Sequence, residues 1–284
     1  MTRISDAFAK LKEKGQAALV PFLTAGDPDI DTTYALVCEM VRRGADMIEL
    51  GVPFSDPMAD GPVLQRAAER ALENGTSLPQ IFDLVAHLRR TVDIPIVLFG
   101  YYNPVWRYGI RRFVEDAKSA EIDGVLCVDL PLEEAGEFKT ETDRLDLDLI
   151  FLLAPTTPME RVRAVLSEAR GFVYYVAVSG VTGARQSMPD DLSRMVSRIR
   201  SISSVPVGVG FGISKREHAK QVGSIADAAI VGSAVSIIIE ELCGKANLVE
   251  EVGEFIGQLK LGLATPTGGV VDAFDRNRRK REVF

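Results

Sequence analysis

The chain has 284 residues, of which 46% are hydrophobic, and it carries a formal net charge of −7. This length and apolar content allow one full core, and the acidic balance disfavours a nucleic-acid-binding surface. No apolar run approaches the roughly 18 residues of a membrane span. Residues 1–14 are charged and amphipathic without a signal-peptide core, so a cytoplasmic protein is expected.

Short apolar segments rich in β-branched residues alternate with stretches of helical period. The predicted strands are 18–24, 47–50, 95–101, 124–128, 147–152, 172–178, 206–209 and 228–231. The predicted helices include 31–43, 63–72, 78–91, 113–120, 158–169 and 190–201. Eight such units in about 250 residues favour a single (β/α)8 barrel of the α/β class over an open doubly wound sheet. We expect an N-terminal helix within a barrel domain of residues 1–264, followed by a loose C-terminal tail, 265–284.

The second predicted strand carries a carboxylate into the core. Within 47–50, a period of two puts Ile48 and Leu50 on one face and Glu49 on the other. If helices cover both faces of the sheet, an unpaired Glu49 is costly to bury, which points to a functional role. The alternative is a core-facing acid whose oxygens are satisfied by backbone donors.

The segment 51–62 that follows this strand is long for a simple connection, and its glycines and prolines forbid regular structure. Asp56 and Asp60 lie within it. A buried acid followed by an acidic loop suggests proton-transfer chemistry. Asp60 has an alternative role as a helix N-cap, because Gly61 and Pro62 lead into helix 63–72, and Asp56 is expected to shape the loop or to face a partner.

In a (β/α)8 barrel the working face is formed by the loops after the carboxyl ends of the strands. Irregular segments fall there, at 102–104, 129–131 and 179–183. Glycine-rich turns follow the last two strands, at 208–214 and 232–235. Glycine lets backbone N–H groups approach a ligand closely, and a helix that begins there adds its positive dipole end, so these turns predict a phosphate site.

Several catalytic strategies are disfavoured by composition. None of the ten lysines lies in a predicted strand, which argues against a Schiff-base aldolase built on a strand lysine. His87 and His218 are isolated, so neither a metal site nor a metal-dependent aldolase is expected. Cys38, Cys127 and Cys243 are widely spaced among apolar neighbours and are expected to be inert thiols. Acid–base catalysis by carboxylates, with a tyrosine as a further candidate, remains.

The sequence resembles the tryptophan synthase α subunit family. The shared motifs are PFLTAGDP at 21–28, IELGVPFSDPMADGP at 48–62, SGVTGAR at 179–185, GVGFGIS at 208–214 and AAIVGSA at 228–234. They occur in order over nearly the whole chain, with only the tail outside. The resemblance implies a barrel lyase of tryptophan biosynthesis that cleaves indole-3-glycerol phosphate into indole and glyceraldehyde 3-phosphate by a retro-aldol reaction. It also implies that this chain uses no cofactor, no metal and no Schiff base.

The resemblance assigns roles to individual residues. Glu49 is expected to transfer protons at the C3′ hydroxyl and at indole C3, Asp60 to stabilise charge at the indole N–H, and Tyr174 to lie beside the catalytic acid. Burial is expected to raise the pKa of Glu49, although nearby charges could oppose the shift. The substrate pocket is expected to contain Phe22, Phe99, Tyr101, Leu126 and Thr182, and the phosphate site to contain Gly183, Gly210, Phe211, Gly212, Gly232 and Ser233. Plain core packing is the alternative for Tyr174 and for each of Phe22, Phe99, Tyr101 and Leu126.

The resemblance further implies a β subunit that carries pyridoxal phosphate, bound in an αββα heterotetramer at segments 53–58 and 102–104. Indole would pass between the subunits. Three alternatives stay open: a free-standing lyase that releases indole, a weak barrel that mainly activates a partner, and another phosphate-binding barrel of the same pathway. Two features depart from the family: Val178 stands where some members carry arginine, and the tail is longer than the fold requires.

Overall fold

Eight parallel strands close into a barrel in the computed structural model, which describes residues 2–177 and 190–263. Each strand pairs with its neighbour in chain order, and the last pairs with the first. The strands are β1 Ala18–Thr24, β2 Ile48–Gly51, β3 Ile96–Gly100, β4 Gly124–Cys127, β5 Asp148–Leu153, β6 Val173–Val176, β7 Val207–Gly210 and β8 Ala228–Val231. The predicted fold class is therefore confirmed.

Helices on the outside connect the strands. Those in the described residues are α1 Arg3–Glu13, α2 Ile30–Arg42, α3 Pro62–Glu73, α4 Leu78–Leu88, α5 Tyr102–Tyr108, α6 Ile110–Ser119, α7 Gly136–Arg144, α8 Met159–Glu168, α9 Asp190–Arg200, α10 Arg216–Gly223, α11 Ser233–Leu242 and α12 Leu248–Leu263, with a 3-10 turn at Leu132–Glu134. None of them is long and apolar enough to cross a membrane.

One predicted irregular segment is wrong. Residues 102–104, expected to be a turn on the working face, are the first turn of α5. Pro104 is tolerated there because the first turn of a helix does not need its N–H groups for intrahelical bonds. The predicted tail, 265–284, lies outside the described residues, and α12 is the last described element.

The barrel interior is filled by side chains from alternate strand positions. Val20, Val97, Leu126, Ile150 and Ile230 belong to this cluster and are almost fully buried. The strand register explains the pattern, because inward-facing residues of neighbouring strands pair directly, as Val20 does with Ile230.

Helix α1 closes the amino-terminal end of the barrel. Its buried residues Ile4, Phe8 and Leu11 join the interior cluster, and the Phe8 ring lies 5.8 Å from that of Phe172. Apolar burial of this kind contributes about 25 cal/mol per Å². The helix is also fixed by a hydrogen bond at its start, where Thr2 Oγ1 donates to Asp148 over 2.7 Å.

A buried ion pair stabilises the same end. Arg89 Nη2 lies 2.5 Å from Asp123 Oδ2, and both side chains are at most 6% exposed. Asp123 also accepts the backbone N–H of Ile96, the first residue of β3, over 2.8 Å. Charged groups are thus concentrated beneath the barrel as paired structural elements, at the end opposite to the predicted working face.

Candidate active site

Glu49 lies in the barrel wall with its side chain among the interior residues. In the register of β2 it pairs with Phe22 of β1 and with Val97 of β3. The residue is fully buried, and neither carboxylate oxygen has a hydrogen-bond partner in the described part of the chain. Burial raises the pKa of Glu49 to about 8, so the group is largely protonated at neutral pH. Backbone donors from the described residues do not satisfy this acid, contrary to the structural alternative.

Tyr174 is part of the same interior. It pairs in register with Leu152 and Gly208, and its ring centroid lies 6.3 Å from that of Phe99. Burial raises the pKa of Tyr174 well above its usual value, and the carboxylate of Glu49 raises it further. The phenol therefore stays protonated close to the acid, where it can act as a hydrogen-bond donor.

The Tyr174 hydroxyl approaches the backbone at the carboxyl end of β7. A Cβ atom built on Gly210 would lie only 2.4 Å from Tyr174 Oη. Glycine at this position thus has a steric reason that is separate from its predicted role in phosphate binding.

A small aromatic pocket lies at the carboxyl ends of β1 to β3. Phe22 and Phe99 meet edge to face with centroids 5.2 Å apart, and both line this pocket with Tyr101 and Asp60. Leu126 does not line it; this residue is fully buried beside Phe99 in the register of β4. The pocket floor is close-packed, because a Cβ on Gly51 would lie 2.6 Å from Phe22 Cζ.

Asp60 lies in the acid loop, which we define as residues 52–61 between β2 and α3. Burial raises the pKa of Asp60 to about 6, and a hydrogen bond from the Tyr101 hydroxyl partly offsets this rise. Asp60 is therefore mostly ionised at neutral pH, when Glu49 is mostly protonated. Two carboxyl groups with separated pKa values can take different roles in acid–base chemistry.

The alternative role of Asp60 as a helix N-cap is wrong. Gly61 occupies the N-cap position of α3, and no side chain caps that helix. The backbone oxygen of Asp60 instead accepts a hydrogen bond from Gln65 Nε2 over 2.9 Å. The carboxylate of Asp60 therefore does not cap α3.

The two glycine-rich turns lie side by side, because β7 and β8 are neighbours and Gly210 pairs with Ile230. Gly212 has a φ of +44°, a left-handed conformation that glycine adopts without strain. Gly232 is the N-cap of α11, and Ser233 is the first residue of that helix. A helix start leaves N–H groups without intrahelical partners, so this corner can donate to an anion.

The predicted site residues that remain lie partly in the segment between β6 and α9. Thr182 and Gly183, together with Val178, lie outside the described residues. Phe211 follows β7 and is partly buried against the outer core.

The described residues contain no group of three or more His, Cys, Asp or Glu side chains arranged to hold a metal ion. A larger cavity, of about 1000 Å³, lies at the opposite end of the barrel beneath α1 and contains none of the predicted site residues.

Sequence reasoning missed the ionic contacts behind the site. Asp27, which follows β1, is 1% exposed and accepts two hydrogen bonds from Arg70 of α3. Its position inside the PFLTAGDP motif was visible, but its partner lies 43 residues away and no local pattern announces the pair.

The fold and the site together define a (β/α)8-barrel enzyme with two carboxyl groups of raised pKa, Glu49 in β2 and Asp60 in the loop that follows it. Comparison with known proteins supplies the family. The profile described as "Tryptophan synthase alpha chain" matches residues 8–263, and the chain belongs to the tryptophan synthase alpha chain family. The predicted resemblance is confirmed.

Individual relatives agree with this assignment. The tryptophan synthase alpha chain of Geobacter sp. (strain M21) is 53% identical over 263 residues, which cover 93% of this chain and 98% of the relative. That of Neisseria meningitidis serogroup B is 49% identical over 261 residues, covering 92% and 98%. The solved tryptophan synthase subunit alpha from Legionella pneumophila str. Paris has a TM-score of 0.86 at 37% identity, covering 93% of this chain and 98% of that one.

Family membership gives the chain a lyase role in tryptophan synthesis and implies a β-subunit partner. Alpha subunits of this family generally carry no cofactor. The comparisons give no support to a free-standing lyase or to another barrel of the pathway.

Proposed function

We propose that this chain cleaves indole-3-glycerol phosphate to indole and glyceraldehyde 3-phosphate, with Glu49 as the proton-transfer group and Asp60 as the stabiliser of positive charge. The observation that carries the proposal is the fully buried carboxyl of Glu49, which no described residue satisfies and whose pKa is raised to about 8. A buried acid without a structural partner has a cost that a catalytic role explains.

The first step is protonation of the indole ring. Glu49, protonated at neutral pH, gives its proton to C3, and the ring nitrogen becomes an iminium-like cation. The ionised Asp60 accepts a hydrogen bond from that N–H and favours the cation by charge attraction. The substrate thereby supplies the electron sink that a lysine or a metal ion supplies in other aldolases.

The second step breaks the carbon–carbon bond. The carboxylate of Glu49 takes the proton of the C3′ hydroxyl, the oxygen forms a carbonyl, and the C3–C3′ electron pair returns to the ring as neutral indole. Glu49 ends the cycle protonated, so one residue both donates and accepts. General acid–base help of this kind typically contributes about 10²- to 10⁴-fold in rate.

The aromatic pocket and the glycine turns would hold the two ends of the substrate. Phe22 and Phe99 offer an edge-to-face pair suited to an indole ring. The N–H groups at the start of α11 are suited to the phosphate, with Ser233 as a hydroxyl donor. Thr182 and Gly183 are proposed to complete the site, as the family resemblance implies.

The proposed partner is a β subunit that carries pyridoxal phosphate and joins the released indole to serine in an αββα assembly. Two large apolar side chains support a docking surface on the working face: Met58 of the acid loop is 86% exposed and Trp106 of α5 is 63% exposed. Exposed apolar groups on one face are typical of interaction sites. Between these elements a cavity of about 320 Å³ is lined by Pro53, Pro104 and Tyr108, among others.

The test is indole release from indole-3-glycerol phosphate by the wild-type chain and by Glu49→Gln, each with and without the β subunit. Turnover that rises with the partner and disappears in Glu49→Gln supports the proposal. Asp148→Asn is the matched control, because Asp148 is equally buried but lies at the amino-terminal end of the barrel. Full activity of Glu49→Gln would refute the role of Glu49, and a wild type that is inactive with its partner would refute the reaction.

A further inference from the structure

Two arginines of α3 connect three parts of the working face. Arg70 Nε and Nη2 donate to the two oxygens of Asp27 over 2.7 and 2.9 Å. Arg70 Nη1 also donates to Glu240 of α11 over 3.2 Å. Arg66, one helical turn before Arg70, donates two hydrogen bonds of 2.5 and 2.8 Å to the same Glu240. The four side chains carry two positive and two negative charges and form one neutral cluster.

Helix α3 connects this cluster to Asp60. This helix begins at Pro62, immediately after the acid loop, and Gln65 holds the Asp60 carbonyl oxygen over 2.9 Å. The backbone of Asp60 is thus attached to the first turn of α3. The axial position and rotation of α3 therefore set where Asp60 stands.

Helix α11 connects the same cluster to the phosphate turn, which we define as Gly232 and Ser233. Glu240 lies on the same helix as Ser233, whose N-cap is Gly232. Asp27 follows β1, the strand that carries Phe22. Phe22 packs between Gly51 and Gly232, because Cβ atoms built on these glycines would lie 2.6 and 3.7 Å from its ring. The Arg70 guanidinium is therefore hydrogen-bonded to Asp27, which follows the strand of Phe22, and to Glu240, which lies on the helix that begins at Ser233. Arg70 itself belongs to α3, which follows the acid loop.

We propose that Arg70 is a positioning residue: it fixes α3, to whose first turn the backbone of Asp60 is hydrogen-bonded, against α11, the helix that begins at Gly232 and Ser233. This inference rests on the proposed function. Arg70 does not touch the substrate; it acts by holding the charge-stabilising carboxylate at a set distance from the anchored phosphate.

The chemistry of the pair favours arginine over lysine. Asp27 is 1% exposed, so its carboxylate needs a partner, and the planar fork of arginine matches both of its oxygens. Burial raises the pKa of Asp27, which Arg70 opposes. A lysine would keep the charge but not the two-point geometry, so charge and position can be separated by substitution.

The experiment measures kcat and KM for indole-3-glycerol phosphate cleavage with the β subunit present, in wild type, Arg70→Lys and Arg70→Met. A misplaced catalytic group costs up to about 10²-fold, so we expect kcat to fall at least tenfold in Arg70→Met with a smaller change in KM. Arg70→Lys keeps the charge, so it should lose less heat stability than Arg70→Met and still lose kcat. Arg89→Met is the matched control, because it breaks a buried arginine–aspartate pair at the opposite end of the barrel.

A double-mutant cycle separates positioning from general loss of structure. If Arg70 acts through Asp60, Arg70→Met should cause little further loss in an Asp60→Asn background. Losses that multiply in the double variant, or a kcat in both Arg70 variants equal to that of Arg89→Met, would overturn the proposal. Should Arg70→Met not fold, Arg70→Lys and Glu240→Gln decide the question by the same comparison. If the wild-type protein does not cleave indole-3-glycerol phosphate with the β subunit present, the proposed function is refuted, and this inference is refuted with it.

Discussion

The hydroxyl oxygen of Tyr101 accepts a hydrogen bond from the backbone N–H of Ala59 over 3.0 Å. The same hydroxyl is hydrogen-bonded to the carboxylate of Asp60, the next residue. Phe54 packs against the ring of Tyr101 with centroids 5.2 Å apart. Tyr101, which follows β3, thus forms hydrogen bonds both with the backbone of the acid loop, at Ala59, and with its carboxylate, at Asp60.

Replacing Tyr101 by phenylalanine should raise the pKa of Asp60 above about 6, because the hydroxyl lowers it in the wild type. The ring contact with Phe54 is kept, so the loss is confined to hydrogen bonds. A hydrogen bond to a charged group contributes roughly 1.5–3 kcal/mol, so kcat should fall by at least about tenfold near neutral pH. The acidic limb of the kcat–pH profile should move to higher pH. Tyr102→Phe is the control, and an unmoved acidic limb would contradict the role of Tyr101.

Glu49→Gln should make the protein more stable in alkaline solution. The folded pKa of about 8 exceeds the ordinary value of 4.5, so the folded state holds a proton that the unfolded chain has released between these values. The free energy of unfolding of the wild type therefore falls as pH rises from 4.5 to about 8, and glutamine removes this term. Calorimetric unfolding should show a gain in Tm near pH 8 that shrinks toward pH 5. A gain that does not depend on pH would contradict the buried, uncompensated state of Glu49.

Gly51→Ala should disturb the aromatic pocket. The added methyl group would lie 2.6 Å from Phe22 Cζ, so the ring must move. Overpacking of this kind costs about 1–3 kcal/mol, and we expect a raised KM together with a lower Tm. Gly136→Ala is the matched control, because a Cβ there meets nothing within 4 Å. Equal kinetics for the two alanine variants would exclude Gly51 from shaping the pocket.

Trp106→Ser should weaken binding of the β subunit and leave the fold intact. The side chain of Trp106 is 63% exposed on α5, so its removal opens no cavity. Interface tryptophans often contribute about 2 kcal/mol or more, which corresponds to a more than tenfold rise in Kd. Leu261→Ser changes a side chain that is 50% exposed on α12 and should leave Kd unchanged. Titration calorimetry with the β subunit would make the comparison, and equal Kd values would remove α5 from the docking surface.

The barrel could be predicted because its signals are local. The bounds of β1 and β8 agree with prediction to the residue, since apolar β-branched runs end where turn residues begin. Strand alternation placed Glu49 on the face opposite to Ile48 and Leu50, and helices covering both faces of the sheet made its burial predictable, but alternation alone did not say which face points inward. The prediction failed at 102–104, because proline was read as a break although the first turn of a helix accepts it.

The support of the site was beyond the reach of sequence reasoning. Arg70 and Glu240 are separated by 170 positions, and only the closure of the barrel brings α3 beside α11. The pairing of Tyr101 with Ala59 likewise joins two loops that are 42 positions apart. The close contact between Phe22 and Gly51 was hidden for a different reason, since close packing depends on atomic distances that no periodicity encodes.

Helix α1 has a consequence for traffic into the barrel. Ile4, Phe8 and Leu11 pack into the amino-terminal end of the barrel and, together with the side chains that fill its interior, block passage along the barrel axis from that end. Substrate, products and any proton that Glu49 exchanges with bulk water are therefore expected to enter and leave at the carboxyl ends of the strands. A partner bound at Trp106 and Met58 would therefore lie at the same end of the barrel as the exit for the products.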